Sequence, residues 1–335
     1  MHVAVLGATG AVGRTMLEVL AERRIPVERL TLLASERSAG QTVAWGGREW
    51  TVEVPRPGVF RGVDVALFSA GADRALEWAP VAAAEGAVVV DNSSAWRMDD
   101  GVPLVVPEVN MAAAAKRPRG IVANPNCSTI QMVVALHAIR GAAGLRRVVA
   151  TTFQSVSGAG ETGRDALRRE NEGEGRAHLR LAHPVDGSPF RRRIAGNVIP
   201  QIGDFDEAGW TGEERKMMEE TRKILALPDL AVTATCVRVP VEVGHSVQVT
   251  VETERELTAE GARRALALFP GILVQGSADA YPTPLEAAGR DAVFVGRIRV
   301  DPSIPNTLHL WVVADNLRKG AATNAVQIVE GLRGG

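Results

Sequence analysis

The sequence predicts a two-domain chain, with an α/β domain on a doubly wound parallel sheet followed by an α+β domain. Three observations carry that reading. The first third alternates short, fully apolar runs with helical patterns, as strands buried on both faces of a parallel sheet do. A glycine-rich turn, Gly7-Ala8-Thr9-Gly10-Ala11-Val12-Gly13, joins the first of these runs to the first helix. Past Cys127 the runs lengthen and alternate apolar with polar residues, the pattern of half-solvated strands. At 335 residues the chain also exceeds what one hydrophobic core usually serves.

Taken in order, strands are expected at Val3–Leu6, Arg29–Ala34, Val63–Ser69 and Ala87–Val90, with helices at Gly13–Glu22 and Asp73–Glu85 between them. This βαβ alternation builds a parallel sheet. Ile130, Met132, Val133, Val134, Leu136 and Ile139 carry helical spacing and put a helix N-terminus at or near Cys127. Beyond it, strands are expected at Arg146–Gln154, Ala231–Val239, His245–Glu252, Val293–Val300 and Thr307–Val313. Helices at Arg164–Arg176, Glu213–Leu225 and Ala259–Leu268 lie between them, and Gly320–Leu332 reads as a last helix. The pattern fits a mixed or antiparallel sheet with helices on one face, and the other face is a candidate homodimer surface. The polar, Gly- and Arg-rich stretch Arg168–Arg193 reads as a loop excursion.

Composition removes several function classes. Charged residues are 23% and the net charge is −1, so no electrostatic case exists for nucleic acid or an anionic membrane. Two cysteines, Cys127 and Cys236, are too few for a disulfide framework or a structural zinc site and fit a reducing compartment. No metal site is expected. No apolar run approaches the ~18 residues that span a bilayer. The chain enters a strand directly at His2–Leu6, without the pattern of a signal peptide, and a cytoplasmic protein is expected.

The glycine turn points to a dinucleotide. Gly7 permits the tight turn, Gly10 lets backbone approach a pyrophosphate, and Gly13 lets helix and strand pack closely. The phosphates then sit on the helix N-terminus. At the end of the second strand, Ser35, Arg37 and Ser38 can hydrogen-bond a 2′-phosphate, and Arg37 supplies charge. Glu36 suits a ribose hydroxyl instead, but one residue further along the turn it faces solvent; NADP is favoured over NAD.

Asn124-Pro125-Asn126-Cys127-Ser128-Thr129 is the most informative segment. A cysteine at a helix N-terminus is favoured as thiolate, and a thiolate can attack an acyl carbon to give a thioester. A buried structural cysteine is the plain alternative. Polar residues elsewhere argue against it. Arg97, in Asp91-Asn92-Ser93-Ser94-Ala95-Trp96-Arg97, offers a planar fork for phosphate, or is a surface arginine. Gln154 ends a strand before the small-residue loop Ser155-Val156-Ser157-Gly158-Ala159-Gly160 and could present its amide to a reacting centre. Of six histidines, His245 is the best acid/base candidate. Arg238 lies seven residues before it, which on one continuous strand means the opposite face; Pro240 and Gly244 suggest a break that lets both enter one cavity. By spacing alone Glu213, Lys216, Glu220 and Lys223 form a solvated helical stripe opposite Met217, Thr221, Ile224 and Leu225.

Together these segments resemble the aspartate-β-semialdehyde dehydrogenase family, in its shorter bacterial form. The likeness runs along essentially the whole chain through GATGAVG, ASERSAG, DNSSAWR, PEVN, NPNCST, FQSVSGAG, the EERKM helix, CVRVPVEVGHS and DNLRKGAATNAVQI. The resemblance implies Cys127 as acyl-thioester nucleophile, His245 as acid/base, Arg238 as clamp on the substrate carboxylate, and Gln154 as a further substrate contact. It implies that Arg97 and Lys216 bind phosphate with Glu213 beside them, which lifts Lys216, one of only four lysines, out of the solvated stripe. It implies NADP contacts from Thr9, Gly10, Ala11, Val12, Arg37, Ser38, Ser157, Gly158 and Asn316. The implied fold is a Rossmann-like domain over 1–127 completed by a C-terminal helix at 316–335, and a catalytic and dimerisation domain over 128–315. The implied substrates are aspartyl phosphate, aspartate semialdehyde and phosphate, and the implied assembly is a homodimer or dimer of dimers. N-acetyl-glutamyl-phosphate reductase and glyceraldehyde-3-phosphate dehydrogenase share the chemistry, but their cysteine contexts differ from NPNCST. A dinucleotide sensor without catalysis would not need Cys127, Gln154, Arg238 and His245 together.

Overall fold

The structure, a computed structural model, describes residues 1–172, 183–277 and 279–334. Its contacts divide the chain into two compact units, Met1–Asn126 with Gly320–Gly335, and Cys127–Lys319. These dividing points differ by a few residues from the expected 127/128 and 315/316. Cys127 is the first residue of helix Cys127–Ala143 in the second unit. Asn316 is tied by its side chain to Ser155, Ser157 and Gly244, all of the second unit.

In the first unit seven strands form one sheet: β1 (His2–Leu6), β2 (Arg29–Leu33), β3 (Thr42–Trp45), β4 (Arg48–Glu53), β5 (Val65–Phe68), β6 (Val88–Asp91) and β7 (Ile121–Ala123). The order is β3-β4-β2-β1-β5-β6-β7, parallel throughout except for the β3–β4 hairpin. The order reverses at β1, and a crevice opens at the carboxyl ends of β1, β2 and β5, where α/β sheets bind ligands. Gly7 there has φ +91°, in the left-handed region, and a Cβ at Gly13 would fall on the Gly7 carbonyl.

The β3–β4 hairpin and β7 were not among the expected strands. The hairpin turns through Gly46 and Gly47, with φ of 59° and 74°, the two positive values of a type I′ turn. Its strands are half-exposed, so they lack the apolar signal of their neighbours. The last helix, Thr323–Gly334, follows a π-helical turn at Arg318–Ala322. Its Ala325, Val326, Ile328 and Val329 join the core of Val3, Val5, Met16, Leu17 and Leu20. Arg23 clasps Glu330 through two hydrogen bonds of 2.9 and 2.7 Å, closing the first unit over its own C-terminal helix.

The second unit holds β8 (Arg147–Gln154), β9 (Ala231–Arg238), β10 (His245–Glu252), β11 (Ile272–Val274), β12 (Val293–Val300) and β13 (Thr307–Ala314). The order is β11-β12-β13-β10-β8-β9, with β8–β9 and β11–β12 parallel and the rest antiparallel, so the sheet is mixed. Helix Cys127–Ala143 packs against it, and Ile130, Met132, Val133, Val134, Leu136 and Ile139 are all fully buried. Such burial explains why the helix is apolar nearly all round. On the other face Val149, Thr151, Phe153 and Trp311 are half-buried, and the Phe153 and Trp311 rings lie 5.5 Å apart.

Two local expectations need correction. The stripe of Glu213 and Glu220 is not solvated: they are buried, because helix Gly212–Leu225 is covered by β9 on one side and by helix Cys127–Ala143 on another. Arg168–Arg193 is not all loop either. Arg168 to Glu172 complete helix Glu161–Glu172, which turns Ala166, Leu167 and Glu170 inward. Residues 173–182, including the expected helix end at 173–176, lie outside the described residues.

Candidate active site

Three strand ends meet in the second unit. Gln154 closes β8 and Arg238 closes β9, and the two are ladder partners. His245 opens β10, whose next residue, Ser246, pairs with Phe153 of β8. The chain leaves β9 and returns antiparallel in β10 through Val239–Gly244, with Gly244 at φ +93°. This reversal turns a separation that would oppose Arg238 and His245 on one strand into convergence. Gly158 measures how close they come. A Cβ placed there would lie 2.8 Å from Arg238 Nη1 and 3.2 Å from His245 Nε2, so only glycine fits between them.

His245 is fully buried and its tautomer follows from its partner. The Ser155 backbone N–H donates to Nδ1 at 3.1 Å, and an amide N–H can only donate. Nδ1 is therefore the acceptor, and the neutral ring carries its proton on Nε2, which has no hydrogen-bond partner among the described residues. Burial, and then the Arg238 charge, push His245 down from its ordinary 6.5 to about 3. The ring is neutral at physiological pH, a donor with its N–H on the Gly158 side. Sequence reasoning missed Ser155 as the group that orients it. The residue lay in plain view after Gln154, but only strand pairing brings it to His245.

Arg238 is 6% exposed. Its Nη1 donates to the Ser155 carbonyl at 2.6 Å, and its guanidinium carbon lies 5.8 Å from the Phe190 ring centre. Nε and Nη2 make no hydrogen bond among the described residues, leaving a two-donor edge. Burial lowers its pKa, and Glu213, Cys127 and Cys236 act in the opposite sense, which places all three within electrostatic reach. Glu213 accepts from Gln154 Nε2 at 3.2 Å and from Lys216 Nζ at 3.4 Å, so Lys216 joins this cluster with its side chain 39% exposed.

The two cysteines are chemically distinct, and neither is in a disulfide. Cys127 is half-buried at the start of its helix, with no acidic residue in the first turn. Cys236 is fully buried, its Sγ 3.6 Å from Met217 Sδ and its N–H donating to Glu214 at 3.0 Å. Burial and the nearby Glu213 push the Cys236 thiol far up, so it stays protonated.

Ser157 and Asn316 are buried against each other. Asn316 Oδ1 accepts from Ser155 Oγ, Ser157 Oγ and Gly244 N–H at 3.0, 3.1 and 2.9 Å. These two side chains brace the loops that carry His245. Arg97 belongs to the first unit and is 7% exposed. It donates from Nε to the Asn124 carbonyl at 3.0 Å and from Nη2 to the Asn92 carbonyl at 2.9 Å. Asn124 is held further by Asn92 and Asn324 at 2.6 and 2.7 Å. Arg97 thus stiffens the Asn124-Pro125-Asn126 turn.

In the first unit a cavity of about 700 Å³ sits at the carboxyl ends of β1, β2 and β5, lined by Gly7, Thr9, Gly10, Ser35, Arg37 and Ser69 among others. Thr9 Oγ1 donates to Ser38 Oγ at 3.2 Å. Helix Ala11–Glu22 opens beside Gly10 with no side-chain cap and no acid in its first turn. Ala11 and Val12 are its first residues, and their N–H groups suit phosphate oxygens. Arg37 and Glu36 are both exposed at the rim. Cavity, uncapped helix and rim cation together fit a nicotinamide dinucleotide.

Comparison with known proteins agrees with both units. Residues 2–117 match the semialdehyde dehydrogenase NAD binding domain, and residues 136–319 match the semialdehyde dehydrogenase dimerisation domain. The chain is 51% identical to aspartate-semialdehyde dehydrogenase of Aquifex aeolicus over 98% of its length and 97% of that protein's. It is 49% identical to the Bacillus subtilis enzyme of the same name, covering 99% and 97%. It also superposes with a TM-score of 0.92 on the crystal structure of aspartate semialdehyde dehydrogenase II from Vibrio cholerae complexed with ASA, at 50% identity, covering 99% of this chain and 98% of that one.

The depressed basicity of His245 makes stability depend on pH. Between about 6.5 and about 3 the unfolded chain takes up a proton at this site and the folded chain does not. Stability therefore falls as pH drops through that window, by up to about 1.4 kcal/mol per pH unit from this residue. In urea titrations between pH 6.5 and 4.5, the stability difference between wild type and His245→Asn should shrink as pH falls. Parallel profiles for the two proteins would mean that the folded ring accepts the proton.

Proposed function

Because the chain belongs to the aspartate-semialdehyde dehydrogenase family of oxidoreductases, we propose that it converts L-aspartyl 4-phosphate and NADPH to L-aspartate 4-semialdehyde, phosphate and NADP⁺ through a thioester on Cys127. The convergence of Gln154, Arg238 and His245 within reach of Cys127 supports this reading above any other single observation. The reaction is reversible, and its product supplies lysine, threonine and methionine biosynthesis.

Cys127 Sγ attacks the acyl carbon of the substrate, the carbon–sulfur bond forms, and the bond to the phosphate oxygen breaks. Lys216 holds the departing phosphate charge, with Arg97 given the same task. When bound, NADPH supplies a hydride to the thioester carbon. Arg238 takes the α-carboxylate on its Nε–Nη2 edge, which fixes register and distance for the attack. His245 takes the proton that Cys127 Sγ loses as it attacks, and returns that proton to the collapsing tetrahedral species or to the departing sulfur. Gln154, anchored on Glu213, offers its amide to the substrate. NADP rather than NAD is read from Ser35 and Arg37, which line the cavity, and from Ser38 beside Thr9, since a 2′-phosphate calls for a cation there. A homodimer through the half-buried face of Thr151, Phe153 and Trp311 fits the dimerisation-domain match.

Cys127→Ala is expected to fold and bind NADP(H) yet show no turnover, because Cys236 is held as a buried thiol and offers no substitute. The assay is NADP⁺ reduction with aspartate semialdehyde, run with and without phosphate. Substantial activity in the alanine variant would overturn the covalent route.

Arg37→Ala should weaken NADP(H) more than NAD(H), by about 1–2 kcal/mol, the lower part of the range for a charge-assisted bond because the side chain is exposed. Fluorescence titration of both cofactors measures it, and equal losses would show that Arg37 does not read the 2′-phosphate.

Lys216→Ala should raise the phosphate KM by roughly tenfold or more and move the semialdehyde KM much less. Arg238→Ala should do the converse and also lower kcat, because a loose carboxylate misplaces the reacting carbon. Near wild-type kinetics in Lys216→Ala would return that lysine to a purely structural pairing with Glu213.

A further inference from the structure

The segment after helix Glu161–Glu172 takes no part in the chemistry above, yet a buried carboxylate is committed to it. Glu170 is 1% exposed. Its Oε2 accepts the N–H groups of Ile194 and Ala195 at 2.8 and 2.9 Å, and its Oε1 accepts that of Val185 at 3.3 Å. Arg193 Nη2 donates to the Glu170 carbonyl at 2.6 Å. One residue therefore pins both ends of Val185–Ala195, which contains no helix or strand. Taking a carboxylate out of water is costly unless its lone pairs are met, and here backbone amides meet them.

What the pinned segment delivers is Phe190. Its ring packs on the buried cluster of Val156, Leu167, Ile194, Ala195 and Ile199. Gly163 leaves it room, since a Cβ there would lie 3.2 Å from the ring edge. The other side of the ring faces the Arg238 guanidinium, 5.8 Å away, within cation–π range. With Nη1 on the Ser155 carbonyl and the Phe190 ring alongside, the guanidinium has one orientation, and its Nε–Nη2 edge is presented as a fork. The same segment walls a cleft of about 380 Å³ that Arg238 also lines.

We propose that Phe190 is a positioning residue for the Arg238 carboxylate clamp, and that Glu170 is the clip that holds Phe190 in place. The proposal rests on the reading of Arg238 as that clamp. A guanidinium without its aromatic neighbour samples other planes, so binding of the substrate carboxylate weakens while phosphate binding does not.

Steady-state kinetics in the oxidative direction test it, with aspartate semialdehyde, phosphate and NADP⁺ varied separately. Phe190→Leu keeps the apolar bulk and should raise the semialdehyde KM by about tenfold, with the phosphate KM inside about twofold. Phe190→Tyr keeps the ring and should stay near wild type. In an Arg238→Lys background, Phe190→Leu should add less than about twofold, because the residues act as a unit. Glu170→Gln should give the same one-sided rise in KM, with hydrogen exchange at the Ile194 and Ala195 amides faster by about tenfold or more. An equal rise in both KM values, full additivity with Arg238→Lys, or a tyrosine variant as impaired as leucine would overturn the proposal. A defect in Arg238→Lys with none in Phe190→Leu would overturn it alone, whereas an unchanged semialdehyde KM in Arg238→Lys would remove the clamp reading beneath it. Should Glu170→Gln fail to fold, the Phe190 series decides by itself.

Discussion

A guanidinium taken out of water at the end of a β-strand is the constraint around which the second unit is arranged. Arg238 cannot shed its charge, so its surroundings must meet it. The Ser155 carbonyl takes one nitrogen, Phe190 lies alongside the guanidinium, and Glu213 supplies opposite charge nearby. Each of these groups then has requirements of its own. Glu213 is buried and needs Gln154 and Lys216 as donors. Gly158 must lack a side chain because Arg238 and His245 crowd its Cα. The cluster is thus a set of mutual dependences in which one substitution disturbs several partners.

The first unit was largely legible from sequence because its strands are buried on both faces and its glycines have single conformational uses. Val3–Leu6 is apolar at every position, and the turn at Gly7 and Gly13 tolerates nothing larger. The β3–β4 hairpin escaped because half-exposed edge strands carry no comparable signal; only Gly46-Gly47 marked it. In the second unit Cys127, Gln154, Arg238 and His245 stood out as polar residues at the ends of apolar runs. Their support did not. Ser155, Glu170 and Phe190 act through strand pairing and loop anchoring, which a linear reading does not reveal. Helix Gly212–Leu225 shows the limit of periodicity. Its polar face reads as solvated because a single helix cannot announce that two neighbours cover it, and Glu213 and Glu220 are buried in consequence.

The contrast between the two cysteines shows how position decides reactivity when chemistry is identical. Both lie within electrostatic reach of Arg238. Cys236 sits in the interior of β9, fully desolvated and close to Glu213 and Glu214, so the thiolate is disfavoured, with only the Thr152 side chain acting in the opposite sense. Cys127 sits instead at the first residue of a helix, half-buried, at the positive end of the helix dipole and with no acidic residue in the first turn. A nucleophile needs the second environment, and a packing residue is safest in the first.

The same cation also sets what His245 can do. A positive charge beside a fully buried imidazole opposes its protonation, and the Ser155 amide forces the remaining proton onto Nε2. In the resting protein the ring is thus a poor base and a preset hydrogen-bond donor. Negative charge that develops on a substrate oxygen or on sulfur would be stabilised by both Arg238 and this N–H, and that charge would in turn raise the basicity of the ring. Proton affinity then changes in step with the reaction instead of with solvent pH. A buried neutral histidine held against an arginine is therefore suited to a reversible acyl transfer, in which the same proton must be given in one direction and recovered in the other.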